Sequence, residues 1–257
     1  MKKIVKVSAV ILALVMAMGS LCACGGTSSE NPSATEKLVM ATNASFPPYE
    51  FVDDNGAFAG IDVEIAGLIA EKLGLTLEIQ DVEFGSIIGG VQSGKFDIGM
   101  AGMTVTDERL QSVNFSTSYA KGIQSIIVPE GSEVKSFDDL SAKEDVKIGV
   151  QQDTTGDIYI TDDLGEDHVI RFKTGNDAVQ ALVTGKVDAV VIDNEPAKSY
   201  VDANEGLVIL ETAYAEEDYA ICVAKDNTAL LESINKALAE LTADGTIDAI
   251  IAKYIAA

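Results

Sequence analysis

Gly60-Ile61-Asp62-Val63-Glu64-Ile65-Ala66-Gly67-Leu68-Ile69-Ala70-Glu71-Lys72-Leu73-Gly74 reads as an amphipathic helix. Ile61, Ile65, Leu68, Ile69 and Leu73 fall on one face at helical spacing, and Gly74 supplies the stop. Upstream, Leu38-Val39-Met40-Ala41-Thr42 is a strand. It leads into Asn43-Ala44-Ser45-Phe46-Pro47-Pro48-Tyr49-Glu50-Phe51, where two prolines bar a helix and hold an extended loop that presents aromatic rings. Asp53-Asp54-Asn55-Gly56 is a turn signal. Downstream, residues 75–82 alternate as a strand, 84–93 form a second helix closed by Gly94, and 96–100 are a short buried strand. Strand–helix–strand–helix–strand at this spacing implies parallel pairing and an α/β layer.

The third strand runs into Gly99-Met100-Ala101-Gly102-Met103-Thr104-Val105-Thr106-Asp107-Glu108-Arg109-Leu110. It breaks at Gly102 into small, hydroxyl-bearing residues, and Thr106-Asp107-Glu108-Arg109 opens a helical turn. A strand ending in Ala-Gly lets a ligand approach the main chain. Free N–H groups at the following helix start favour an anion. Arg109 adds a planar fork suited to a carboxylate. The competing reading is a plain strand–turn–helix with Arg109 on the surface.

After residue 119, Gln124-Ser125-Ile126-Ile127-Val128-Pro129 reads as an extended crossover into a second α/β set. Its strands are expected at 146–150, 169–172, 188–192 and 207–210, with helices near 156–161, 176–185 and 195–204. A second extended run, 218–224, returns the chain to the first lobe, where amphipathic helices at 228–242 and 247–255 pack. The architecture expected is α/β with two lobes joined by two crossings. Its bounds are 38–123 plus 225–257 for the first lobe and 124–224 for the second, with hinge strands at the latter's ends.

Length and a hydrophobic content of 47% fit a globular chain with one large domain or two lobes. The formal charge is −23, and the first 23 residues hold three lysines and no acid, so the remainder carries 41 acids against 15 bases, or −26. Such a surface repels phosphate backbones and attracts cations, which argues against nucleic acid as a partner. Residues 1–23 combine a basic head with an apolar stretch too short for an ordinary membrane span. Leu21-Cys22-Ala23-Cys24-Gly25 resembles a bacterial lipoprotein signal, with Cys24 the lipidated residue and a polar tether over 24–37. Cys222 is then the only free thiol, expected to act as a small buried hydrophobe. No metal or other cofactor is expected.

Four further stretches complete a pattern: Phe46-Pro47-Pro48-Tyr49-Glu50-Phe51, the 101–109 motif, Gly149-Val150-Gln151-Gln152-Asp153-Thr154-Thr155-Gly156 and Asp193-Asn194-Glu195-Pro196. In this order, with the 60–65 helix start, they resemble the bacterial extracellular solute-binding proteins of family 3, lipid-anchored receptors that deliver polar amino acids to ABC transporters. The resemblance implies a type II periplasmic-binding-protein fold with two crossover strands as a hinge. It implies that Arg109 pairs with a ligand α-carboxylate, helped by Thr104 and by N–H groups near Thr154 and Thr155. Asp193 and the Gly102 carbonyl would hold the α-ammonium, and Phe46 and Phe84 would sandwich the side chain. Asn43, Ala101, Met103 and Gln151 would line the pocket. Asp153 stands where many relatives have glycine, and a positive φ there would disfavour Asp less than most residues but more than Gly.

A zwitterion needs one cationic and one anionic site, and Arg109 and Asp193 fall on opposite lobes. A ligand touching both stabilises the closed state differentially. The competing role for Asp193 is an N-cap of the helix near Glu195; for Phe46 and Phe84 it is plain core. The function expected is therefore a monomeric, non-enzymatic receptor on the outer face of the membrane that hands a free amino acid to an ABC permease. The alternatives are a dehydratase-like enzyme on the same fold, for which the lone His168 is poorly placed, and an amino-acid sensor. Stacked rings and an acidic field favour a planar or cationic side chain, whereas Asn43 tempers that toward glutamine or cystine.

Overall fold

The computed structural model describes residues 36–211 and 214–255, so the leader, Cys24 and most of the tether lie outside it. The first α/β set forms as its periodicity implies. Strands Lys37–Thr42, Thr76–Asp81 and Ile98–Gly99 pair in parallel, and Cys222–Ala224 joins them antiparallel together with Val113–Phe115. Helix Ile61–Leu73 packs on this sheet through Ile61, Ile65, Ala66, Ile69 and Ala70, and a left-handed Gly74 closes it. Helices Thr228–Ala243 and Thr246–Tyr254 bury Ile234, Leu238, Leu241, Ile247 and Ile250 in the same apolar core.

The second set has strand order Val169–Phe172, Ile148–Gln151, Ala189–Asp193, Ala120–Pro129 and Leu207–Ile209. Its first three strands are parallel, and the ten-residue strand Ala120–Pro129 runs against them. Helices Thr155–Leu164, Gly175–Val183 and Asn194–Ala203 lie within a residue or a few of their expected positions. The protein is thus a mixed α/β, two-lobed fold.

Three local features differ from expectation. The loop after Thr42 contains a small antiparallel sheet, Ser45–Phe46, Glu50–Val52 and Phe58–Ala59, whose strands are too short to show an alternating pattern. The helix expected over 84–93 is a 3-10 turn, Phe84–Ser86, followed by Ile87–Gln92. The return crossing is two strands, Ala215–Tyr219 and Cys222–Ala224, broken at Ala220 as the chain changes sheets. A short helix, Phe137–Ser141, capped by Ser136, precedes the parallel strands of the second set. Among the described residues no helix is long and apolar enough to cross a membrane.

Candidate functional site

The C-terminal ends of parallel strands from both sheets contribute to a cavity lined by Asn43, Phe46, Glu50, Phe84, Ala101, Gly102, Thr104, Arg109, Gln151, Thr154, Thr155 and Asp193. Eleven of the twelve residues expected at the site are among them. Met103 is the correction: it is fully buried with Ala41, Ile87, Ala101 and Cys222, and borders an outer cleft of about 640 Å³ instead. Gly102 and Thr104 line the cavity, Ala101 borders both cavity and core, and the left-handed turn at Gly102 leaves the Met103 side chain inside the core.

Arg109 is carried on the six-residue helix Asp107–Ser112 and is buried, not on the surface. Its Nη1 donates to the Thr104 carbonyl (2.8 Å) and Nη2 to the Asp153 carbonyl across the cleft (3.0 Å). The guanidinium lies 5.2 Å from the Phe84 ring centre, within cation–π range. Burial pushes its pKa down, yet an arginine stays charged. No carboxylate of the described residues lies within ion-pair distance of it. A buried cation with no carboxylate in contact, Glu217 and Asp193 acting on it only from farther away, is costly, which favours an anionic partner here. The expected role for the N–H groups of this helix start needs revision. The Thr106 hydroxyl already accepts from the Arg109 N–H, and Asp107 and Glu108 occupy the first turn.

The second lobe contributes the loop before helix Thr155–Leu164. Asp153 has φ 64°, so this is a left-handed position, which Asp tolerates better than most residues but less well than Gly. Its N–H is held by Asp157 Oδ2 (3.0 Å), and Thr154 Oγ1 donates to the Gln151 carbonyl (2.7 Å). Arg171 Nε in turn reaches both Asp157 oxygens at 2.9 Å, while its Nη2 reaches Thr161. Arg171→Ala leaves the buried Asp157 carboxylate short of donors. Because Arg171 is one-third exposed, the expected cost is about 1–3 kcal/mol, a fall of roughly 3–8 °C in melting temperature. A melt within a degree of wild type would refute this support for the loop.

Asp193 ends strand Ala189–Asp193 and stands at the N-cap position of the next helix, but its side chain makes no capping bond. It accepts instead from the Tyr219 hydroxyl. Burial first, then the nearby Glu217, raises its pKa to about 7. Tyr219 packs edge-on to Tyr49 at 5.1 Å, and Gly122 of the other crossing strand lies directly under its ring. Glu217, on the same face of its strand, accepts from Thr104 Oγ1 and Gln124 Nε2, both at 3.0 Å.

Gly102 is left-handed (φ 51°), and a Cβ there would sit 2.9 Å from the Phe46 ring. Its N–H donates to Asp62 Oδ2 (2.9 Å), which also accepts from the Tyr119 hydroxyl at 2.9 Å. Bonds that cross the cleft join Gln151 to Asn43 (2.9 Å), Lys173 to Glu83 and Tyr200 to the Ser45 carbonyl. The lobes are closed on one another.

Asp62, Glu50, Glu217, Tyr219 and Tyr119 are the groups around the site that sequence reasoning missed. Two carried a signal. Asp62 lies three, four and seven residues before Ile65, Ala66 and Ile69, on the buried face. Glu217 shares a face with Tyr219 by strand alternation.

A two-lobed α/β fold with a polar, doubly charged cleft between its sheets defines a class, the binding proteins that close on a small ligand. The sequence model for bacterial extracellular solute-binding proteins, family 3, matches residues 38–257, and the chain belongs to that family. A probable histidine-binding protein of Neisseria gonorrhoeae is 34% identical over 95% of this chain and 94% of its own length. An ancestral arginine-binding protein solved with glutamine is 41% identical, with a TM-score of 0.81, over 86% of this chain and 98% of that one. An ancestral arginine-binding protein solved with arginine is 41% identical with a TM-score of 0.80, over 86% of this chain and 99% of that one. These relatives are binding proteins, not enzymes.

Proposed function

We propose that this protein captures a free polar or cationic amino acid between its lobes and delivers it to an ABC importer. Arg109 takes the α-carboxylate with help from Thr104 and the 154–155 loop. Asp193 and the Gly102 carbonyl take the α-ammonium, and Phe46 and Phe84 flank the side chain. Asn43, Ala101 and Gln151 line the rest of the pocket; Met103 supports it from the core. The lobes are 38–123 with 225–257 and 124–224, and the crossing strands between them act as the hinge. Residues 1–23 act as the signal peptide, Cys24 carries the lipid, and 24–37 tether a monomer to the outer face of the cell membrane, beside its permease.

One observation carries the reading: a buried guanidinium from one lobe and a buried carboxylate from the other line a single cavity. A ligand bearing both charges satisfies each, and only in the closed state. A thermal-shift screen over the amino acids, with cystine and ornithine included, tests it. A ligand at a thousand times its Kd adds about 4 kcal/mol, and thus roughly 8 °C or more in melting temperature for a chain of this size. A melting curve unmoved by every amino acid overturns the ligand class.

A further inference from the structure

Glu50 reaches the cavity from the Glu50–Val52 strand, beside Asn43, Phe46 and Gln151, and is 1% exposed. Its carboxyl group faces that of Asp62, which is 0% exposed, and the two are within hydrogen-bonding reach. Glu50 Oε2 and Asp62 Oδ1 have no donor at all. The ionisable groups that act on the pair are all acids or phenols: Asp193, Asp81, Tyr49, Tyr119 and Tyr200. No cation of the described residues forms an ion pair with either.

Two carboxylates buried together without a cation cannot both ionise, so one proton is held between them. That proton supplies the donor the orphaned oxygens lack. Burial and the facing carboxylate push Glu50 well above the usual carboxylate range, and burial raises Asp62 to about 7. In a bound amino acid the α-ammonium engages Asp193, and the α-carboxylate engages Arg109. Glu50 is then the acid left facing the side chain.

We infer that the Glu50–Asp62 pair is the counter-charge for a cationic ligand side chain, which it accepts by giving up its shared proton to solvent. An amino acid with a neutral amide side chain binds with the proton retained. The site thus prefers a guanidinium or ammonium side chain, and prefers it more as pH rises. This rests on the amino-acid reading above.

The test is titration calorimetry with arginine and glutamine, in two buffers of different ionisation enthalpy, from pH 6 to 8. Both ligands carry the same α-groups, so the titration of Asp193 acts on both and drops out of their ratio. Arginine is expected to release close to one proton more than glutamine at pH 6. The preference for arginine is expected to rise up to about tenfold per pH unit while the pair stays protonated. Glu50→Gln is expected to remove the extra proton and cut that preference at least tenfold. Equal proton counts for both ligands, or a ratio independent of pH, overturn the proton exchange and leave amino-acid binding standing. No heat with any amino acid overturns both.

Discussion

Arg109→Ala is expected to weaken amino-acid binding about a thousandfold, because it strips the partner from a buried carboxylate, a loss of roughly 3–5 kcal/mol. Calorimetry or the thermal-shift screen reads this directly. The ligand-free fold is expected to suffer far less. Arg109 forms two hydrogen bonds to carbonyls there, Thr104 and Asp153, and its removal also relieves a desolvated charge. The ligand-free melt should therefore move by only about 2–4 °C. Arg109→Lys keeps the charge but not the fork: one ammonium cannot make two parallel bonds to a carboxylate and also span both carbonyls. It is expected to fall between wild type and alanine. An Arg109→Ala variant that binds within threefold of wild type would overturn the role given to this residue.

The fold was legible where burial follows periodicity. Ile61, Ile65 and Ile69 announce helix Ile61–Leu73, and the apolar runs before and after it announce parallel strands. The large oppositely charged groups of the site were legible because they punctuate element ends: Arg109 in a helix opened by a Thr-Asp-Glu, Asp193 at the end of a strand. What escaped was charge on buried faces. Hydropathy assigns Asp62 and Glu217 to solvent, although their spacing puts both inside, and only contacts 40 and 113 residues distant in sequence explain why each is tolerated. Glu50 had no signal of either kind. Its burial depends on a two- and three-residue hairpin sheet folding it against Asp62, and no window that short carries a period. Met103 belongs to the core for a different reason: the left-handed turn at Gly102 ends the strand's alternation, so its side is set by packing against Ile87 and Cys222 and by no local period.

Gly60→Ala is the substitution expected to damage the fold most. Gly60 has φ 122° and ψ 176°, a region that side-chain-bearing residues essentially do not occupy. A Cβ there would stand 2.2 Å from the Tyr49 carbonyl oxygen, 2.6 Å from its carbon and 2.9 Å from the Pro48 oxygen. These are backbone atoms, and they are engaged: the Pro48 carbonyl accepts from the Ile61 N–H and the Tyr49 carbonyl from the Asp62 N–H. The loop thus satisfies the first free donors of the helix, and Gly60 is what lets it come close enough. Strain and overlap together should cost about 3–5 kcal/mol, a fall of roughly 8–15 °C in melting temperature. Gly56→Ala is the control, also at positive φ (79°) but with open space around the added carbon; it should cost only about 1–2 kcal/mol. The damage should also reach the ligand, since the displaced segment carries Phe46 and Glu50 and holds Glu50 against Asp62. Arginine should lose more affinity than glutamine in Gly60→Ala. Equal melts for the two alanine variants would mean that the loop yields to the methyl group, and that the placement of Glu50 does not depend on this contact.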